Sequence, residues 1–165
     1  MPTSLGPRLP DKLQALFAGT DLAAGVGETF LLLTVDGDGW PHMAMLSVGE
    51  LLAADPSTLR AALWLHSTAS RNLTREGRGL LALVQDGAGY YLRCQAVRGA
   101  DLDLGEDGRL AYFELRIQDV LEDAVNYAVL TSGMTFKLHN PEQVLARWQR
   151  TIDALRFLSL EHGAG

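Results

Sequence analysis

The sequence predicts an α+β fold built on a small antiparallel β-barrel. Three observations carry this. Six apolar runs of strand length follow one another, several joined by short turns rich in glycine and aspartate. Helical periodicity is confined to the two ends of the chain and one short insertion. Parallel crossovers are nearly absent, which argues against a doubly wound sheet. Six or seven strands close more readily than they lie flat, because twist accumulates and open edges invite pairing.

The elements follow in order. Residues 1–9 read as a loose arm. Asp11 to Ala18 reads as a short helix with Leu13, Leu16 and Phe17 on one face and Gly19 as its stop. Thr20 to Thr29 is a glycine-interrupted connection. Phe30 to Asp36 is a buried strand, Gly37-Asp38-Gly39 a turn, and His42 to Val48 the returning strand after Pro41. Gly49 to Thr58 reads as a loop or irregular helix around Asp55-Pro56. Leu59 to His66 is the third strand, Ser67 to Glu76 a capped helix ending at Gly77, and Leu80 to Gln85 the fourth strand. Asp86 to Gly89 turns the chain into Tyr90 to Arg98. There Tyr91, Arg93 and Gln95 alternate with Tyr90, Leu92, Cys94 and Ala96. Ala100 to Gly108 is loop-like, Leu110 to Leu121 is the sixth strand, and Asn126 to Thr131 is a candidate short seventh. Asn140 and Pro141 then open a closing helix over 140–160. Its apolar stripe, Val144, Leu145, Trp148, Ile152 and Leu155, suits core or a dimer contact.

Length and composition fit one domain over residues 1–165, with the barrel in 10–132. The net charge of −6 and the scattered basic residues argue against a nucleic-acid surface. Cys94 is the only cysteine, so no intrachain disulfide forms, which suits a cytoplasmic protein. The N-terminal residues lack the apolar core of a signal peptide, and no apolar run reaches the roughly 20 residues that span a bilayer, so no membrane role is expected.

The segment WLHSTASRNLTREGRG, Trp64 to Gly79, carries the most specific chemistry. A helix start offers unpaired N–H groups and a favourable dipole. Ser67, Thr68 and Ser70 add hydroxyls, and Arg71 adds a fork that can chelate phosphate. The same residues also read as an ordinary cap, with Ser67 capping, Arg71 solvated and Asn72 bonded locally. His66 ends the preceding strand, as a solvent-facing residue or a donor to a phosphate. Met45 and Ser47 fall on one face of the second strand by period-two spacing. Trp40 and Trp64 suit core or interface, and Asp36 and Asp38 are turn residues. Neither a Ser-His-Asp set nor a nucleotide-binding glycine loop is readable, and His42 with His66 makes a poor metal set. His139 and His162 read as surface residues.

The order of elements over about residues 10–132 resembles the pyridoxamine 5'-phosphate oxidase-like family, the FMN-binding split barrels. The resemblance rests on Thr34-Val35-Asp36, then Asp38-Gly39-Trp40-Pro41 and the strand His42 to Ser47. It continues through Leu59 to His66, the helix start from Ser67 to Asn72-Leu73, Leu80 to Val84, and Gly89-Tyr90-Tyr91. It implies an antiparallel split β-barrel with Greek-key connections, a homodimer, and FMN at the dimer interface. The phosphate would be held from the second strand and the turn. Residue by residue, the family's second-strand cations fall on Ala44 and about Gly49. Its Ser-Arg-Lys turn falls on Ser67-Thr68-Ala69 or on Ser70-Arg71-Asn72, and both registers remain open. The implied cofactor-binding set is Met45, Ser47, His66, Ser67, Thr68, Ser70, Arg71 and Asn72, with no metal and no assignable catalytic acid or base. The expected function is a flavin-dependent oxidoreductase acting on a small molecule whose identity stays open. The alternatives are a non-enzymatic flavin or ligand binder, or a haem or deazaflavin binder on the same barrel, with His66 the first candidate for the haem iron.

Overall fold

The fold is described from a computed structural model over residues 1–161; His162 lies outside the described residues. The strands are β1 (Thr3–Ser4), β2 (Phe30–Val35), β3 (Pro41–Leu46), β4 (Leu51–Asp55), β5 (Thr58–Trp64), β6 (Arg78–Gln85), β7 (Ala88–Arg98), β8 (Leu102–Asp103) and β9 (Arg109–Asp123). The helices are α1 (Asp11–Leu16), α2 (Thr68–Glu76) and α3 (Pro141–Glu161). All pairings between strands are antiparallel, and the sheet runs β3-β2-β6-β7-β9-β5-β4, with β1 and β8 also on β9. The stretch β6-β7-β9 with β5 returning beside β9 is a Greek key.

Three expectations are corrected. The arm is not loose throughout: Thr3 and Ser4 pair with Glu122 and Leu121, and Leu9 is buried. Residues 51–55 form β4, whose Leu51 and Leu52 are buried; Asp55-Pro56 masked it as a loop, but the proline lies in the turn to β5. β4 is therefore the seventh strand of the main path. Asn126 to Thr131 contributes no strand, only an isolated bridge between Val125 and Ala128. Its side chains lie exposed, so burial gives no reason for strand order there.

The β6–β7 hairpin is tighter than the sequence suggested. Gln85 pairs with Ala88, so the turn is Asp86-Gly87 alone. Both residues have positive φ, 49° and 83°, the backbone that matches the twist of the flanking strands. β9 is the organising strand, 15 residues long and paired with β1, β5, β7 and β8. Its inward residues Phe113, Leu115 and Val120 are fully buried with Leu59, Leu81, Tyr90 and Leu92. Phe17, just after α1, packs edge-on against Phe30 at 5.0 Å between ring centres.

The two end strands of the path, β3 and β4, are consecutive in the chain and joined by Ser47 to Glu50. A seven-strand path whose ends are so closely tied must curl on itself. α3 seals this seam. Trp148, Ile152 and Leu155 are buried, so the stripe serves the core of the same chain. Arg60 Nη1 donates to the Leu155 carbonyl at 2.8 Å, and a Cβ built on Gly49 would overlap the Trp148 ring. Overfilling a packed contact of this kind costs about 1–3 kcal/mol. Gly49→Ala is therefore expected to lower stability in urea by about that amount. The penalty should shrink in a Trp148→Ala background; an equal penalty there would show that Trp148 does not press on Gly49.

Candidate functional site

The site is built from the end of β5 inward. β5 stops at Trp64, and Leu65-His66-Ser67 turns into α2. Ser67 Oγ caps the helix, accepting from Ser70 N at 3.1 Å, and donates to Ser70 Oγ at 3.0 Å. Ser70 Oγ in turn donates to the Trp64 carbonyl at 2.8 Å. Gly77 closes α2 with φ 67°, its N–H on the Leu73 carbonyl. Asn72 is buried and donates through Nδ2 to Thr34 Oγ1 at 3.0 Å, tying α2 to β2. Ser70 and Asn72 thus spend their polar atoms inside the protein. Arg71 is exposed, with Nη1 on the His66 carbonyl at 2.7 Å and Nη2 on Thr68 Oγ1 at 3.2 Å. A guanidinium has five N–H donors, so this anchoring fixes the fork and leaves others for a ligand.

The second wall is the β3–β4 seam. β3 ends at Leu46, so the period-two argument stops there. Met45 is exposed at 64%, whereas Ser47 is buried in the following turn. Ser47 N and Ser47 Oγ both donate to Glu50 Oε2, the latter at 2.6 Å, and Gly49 N donates to Ser47 Oγ at 3.2 Å. Burial raises the Glu50 carboxyl above its ordinary 4.5, against the Ser47 bonds and the charge of Arg147, which lower it. Ala44 packs partly buried against the core, and Gly49 lies under Trp148. A side chain reaching out from Gly49 is sterically excluded.

Two cavities flank this seam and share Glu50, Arg147 and Trp148. One, of about 660 Å³, lies between the end of β5, the 104–108 loop with the start of β9, and α3; Trp64, His66, Ser67 and Arg109 also line it. The other, of about 590 Å³, lies between Met45, Leu46 and Ser47 on one side and Phe136 and Leu138 on the other. His66 and Ser67 thus reach the first cavity and Met45 and Ser47 the second. Thr68, Ser70, Arg71 and Asn72 line neither. Trp40 and Trp64 are exposed, not core: the sequence showed their size but not the free edge of β3 or the mouth of the cavity. Glu50, Arg147 and Arg109 were missed because they come from a turn, a helix and a strand start far apart in sequence. The helical stripe containing Trp148 was the one available signal.

The remaining reactive groups point elsewhere. Cys94 is buried, and burial pushes its thiol up to about 12, which makes it a poor nucleophile. Among the described residues no group of three His, Cys, Asp or Glu could hold a metal, and no helix is long and apolar enough to cross a membrane. His139 is exposed.

Comparison with known structures shows the fold, an antiparallel split barrel like that of pyridoxamine 5'-phosphate oxidase-like proteins. A Lactobacillus delbrueckii protein named as a candidate pyridoxamine 5'-phosphate oxidase superposes with a TM-score of 0.54 at 20% identity, covering 71% of this chain and 97% of its own. HupZ of Group A Streptococcus, in an H111A form, gives 0.54 at 13% identity, covering 69% of this chain and 98% of its own. At these identities the likeness shows the fold alone. The chain belongs to the family of YclD, an uncharacterized protein of Bacillus subtilis, to which it is 39% identical over 148 residues, 90% of this chain and 96% of YclD. No family model matches the chain.

The raised Glu50 pKa gives a pH test. The folded value lies above the unfolded one, so this carboxyl is tolerated below its ordinary 4.5 and costs stability as pH rises through the folded value. Glu50→Gln keeps an acceptor for Ser47 without the charge. Its stability relative to wild type is expected to improve as pH rises above 4.5 in urea titrations. A difference independent of pH would contradict the assignment.

Proposed function

We propose that this chain is an FMN-binding split-barrel protein that works as a homodimer, with a flavin-dependent redox activity on a small molecule. The observation that carries the reading is the pairing of a clamped helix start with an exposed apolar strand edge. Ser67, Thr68 and Arg71 stand at the start of α2, with Arg71 oriented by the His66 carbonyl. Met43 and Met45 on β3 are exposed, and so is Trp40 just before it. In this reading the helix start and Arg71 take the phosphate, through N–H groups and a fork suited to it. Met45 lines the flavin ring, and Ser47 holds the β3–β4 turn through Glu50. Ser70 and Asn72 position the turn rather than touch the ligand.

The donor set fits the phosphate in part. Gly49 and Ala44 supply no cation, which leaves Arg71 and the helix start on that side. Bound FMN would supply hydride or single-electron transfer; the chain would supply binding, orientation and exclusion of water. No side chain here is assigned as a catalytic acid or base. The same absence of cations at Ala44 and Gly49 favours a second reading, a flavin or ligand carrier without turnover. A reducing cytoplasm is the compartment proposed, consistent with one buried thiol.

Dimerisation covers the exposed residues of β3, an edge strand paired only on its β2 side. Sedimentation at micromolar concentration should show a dimer; a monomer at all concentrations would remove the interface site. The absorbance of the protein as purified, with released small molecules identified by mass spectrometry, should show a flavin spectrum and FMN. A Soret band lost in His66→Ala would instead establish haem. A colourless protein that ignores added FMN would reduce the helix start to a cap. A flavin that no electron donor reduces would favour the carrier.

A further inference from the structure

We propose that the cavity between the end of β5, the 104–108 loop with the start of β9, and α3 binds a planar aromatic anion, with Arg147 pairing its charge. The cavity is about 660 Å³, within the roughly 300–1,000 Å³ typical of small-molecule sites. Two indoles, Trp64 and Trp148, contribute to its walls, and flat apolar surfaces of this kind suit a fused ring.

Of the two arginines that line the cavity, Arg147 is the one without an ion pair among the described residues. Five charged or titratable residues line the cavity: Glu50, His66, Asp107, Arg109 and Arg147. Asp107 is chelated by Arg150, which holds its carboxyl below the usual range. Arg109 stands 3.8 Å from Asp101. The Glu50 carboxylate is occupied by Ser47. Among the described residues, the Arg147 side chain makes no ion pair or hydrogen bond, yet it lines both cavities. Its charge acts on Glu50 and Asp107 through space only, so its N–H donors stay unbonded. A guanidinium with free donors at the wall of a largely apolar cavity is a receptor for a carboxylate or a phosphate monoester, which it can grip with two parallel bonds. α3 thus brings a cation to the seam where Gly49 is barred from carrying one. FMN is one member of this ligand class, but the inference does not depend on it.

The test uses three naphthalenes of one ring size: 2-naphthoate, 2-naphthyl phosphate and neutral 2-naphthol. Binding is followed by NMR through the three tryptophan indole N–H signals, assigned by single Trp→Phe variants. Trp40 lies outside the cavity and serves as the internal control. At least one anion is expected to shift Trp64 and Trp148 and to bind about tenfold more tightly than the naphthol, as one charge-assisted contact would give. The anion that binds tells carboxylate from phosphate. Arg147→Gln should abolish the preference, and Arg147→Lys should retain part of it. The exposed side chain makes no hydrogen bond among the described residues, so both variants are tolerable to the fold, which an unchanged urea midpoint checks.

A preference unchanged in Arg147→Gln, shifts confined to Trp40, or no binding of either anion would overturn the inference. Its failure is separable from that of the flavin reading. Protein that ignores FMN but shows the Arg147-dependent preference loses the flavin and keeps the pocket. Protein that binds FMN and 2-naphthyl phosphate equally well with Arg147→Gln keeps the flavin and loses this site.

Discussion

Trp148 lies on the backbone of Gly49 so closely that no side chain fits between them. That contact fixes the seam of the barrel. It ties the turn between the two edge strands to the C-terminal helix, and Ile152 and Leu155 continue the seal. It also decides what the seam can offer a ligand. A cation cannot project from Gly49, so any positive charge must arrive from another element. The helix that causes the exclusion carries Arg147 one residue before Trp148, at the wall of both cavities.

The start of α2 follows a different logic. Its hydroxyls and amide are mostly consumed in building the turn: Ser67 caps, Ser70 reaches back to the Trp64 carbonyl, and Asn72 bonds across to Thr34. Such a network costs little to maintain because every buried group is paired. What remains for chemistry is narrower than the residue types suggest. It is the first helical N–H groups and a guanidinium oriented by bonds from its Nη1 to the His66 carbonyl and its Nη2 to Thr68 Oγ1. Preorganisation of this kind reduces the entropy lost when an anion binds.

Much of the fold was legible because its signals are local. Hydrophobic runs, the Asp-Gly turns and the Ser67 and Gly77 caps each act within a few residues, and they placed β2, β3, β5, β6, β7, β9 and α2 to within a few positions. β4 was hidden by Asp55-Pro56, and β1 by its two-residue length; both are strands because of distant partners, β5 and β9. The site was less legible for the same reason. His66 and Ser67 were found from a strand-to-helix transition. Glu50 comes within reach of the Arg147 charge only after the sheet curls and α3 folds over it, and no spacing in the sequence records that approach. The apparent pairing of Met45 with Ser47 failed because alternation holds only while the strand continues, and it stops at Leu46.

What this split barrel does turns on whether it recognises a phosphate-bearing planar ligand. The most direct measurement is calorimetric titration of ligand-free protein with FMN and with riboflavin, which differ only in the phosphate. Hydrogen bonds to a charged group contribute about 1.5–3 kcal/mol each, so FMN should bind at least about tenfold more tightly, and the gap should narrow as salt is raised. Equal affinity for the two would place the phosphate in solvent and contradict the anion-binding role given to the helix start and its arginine.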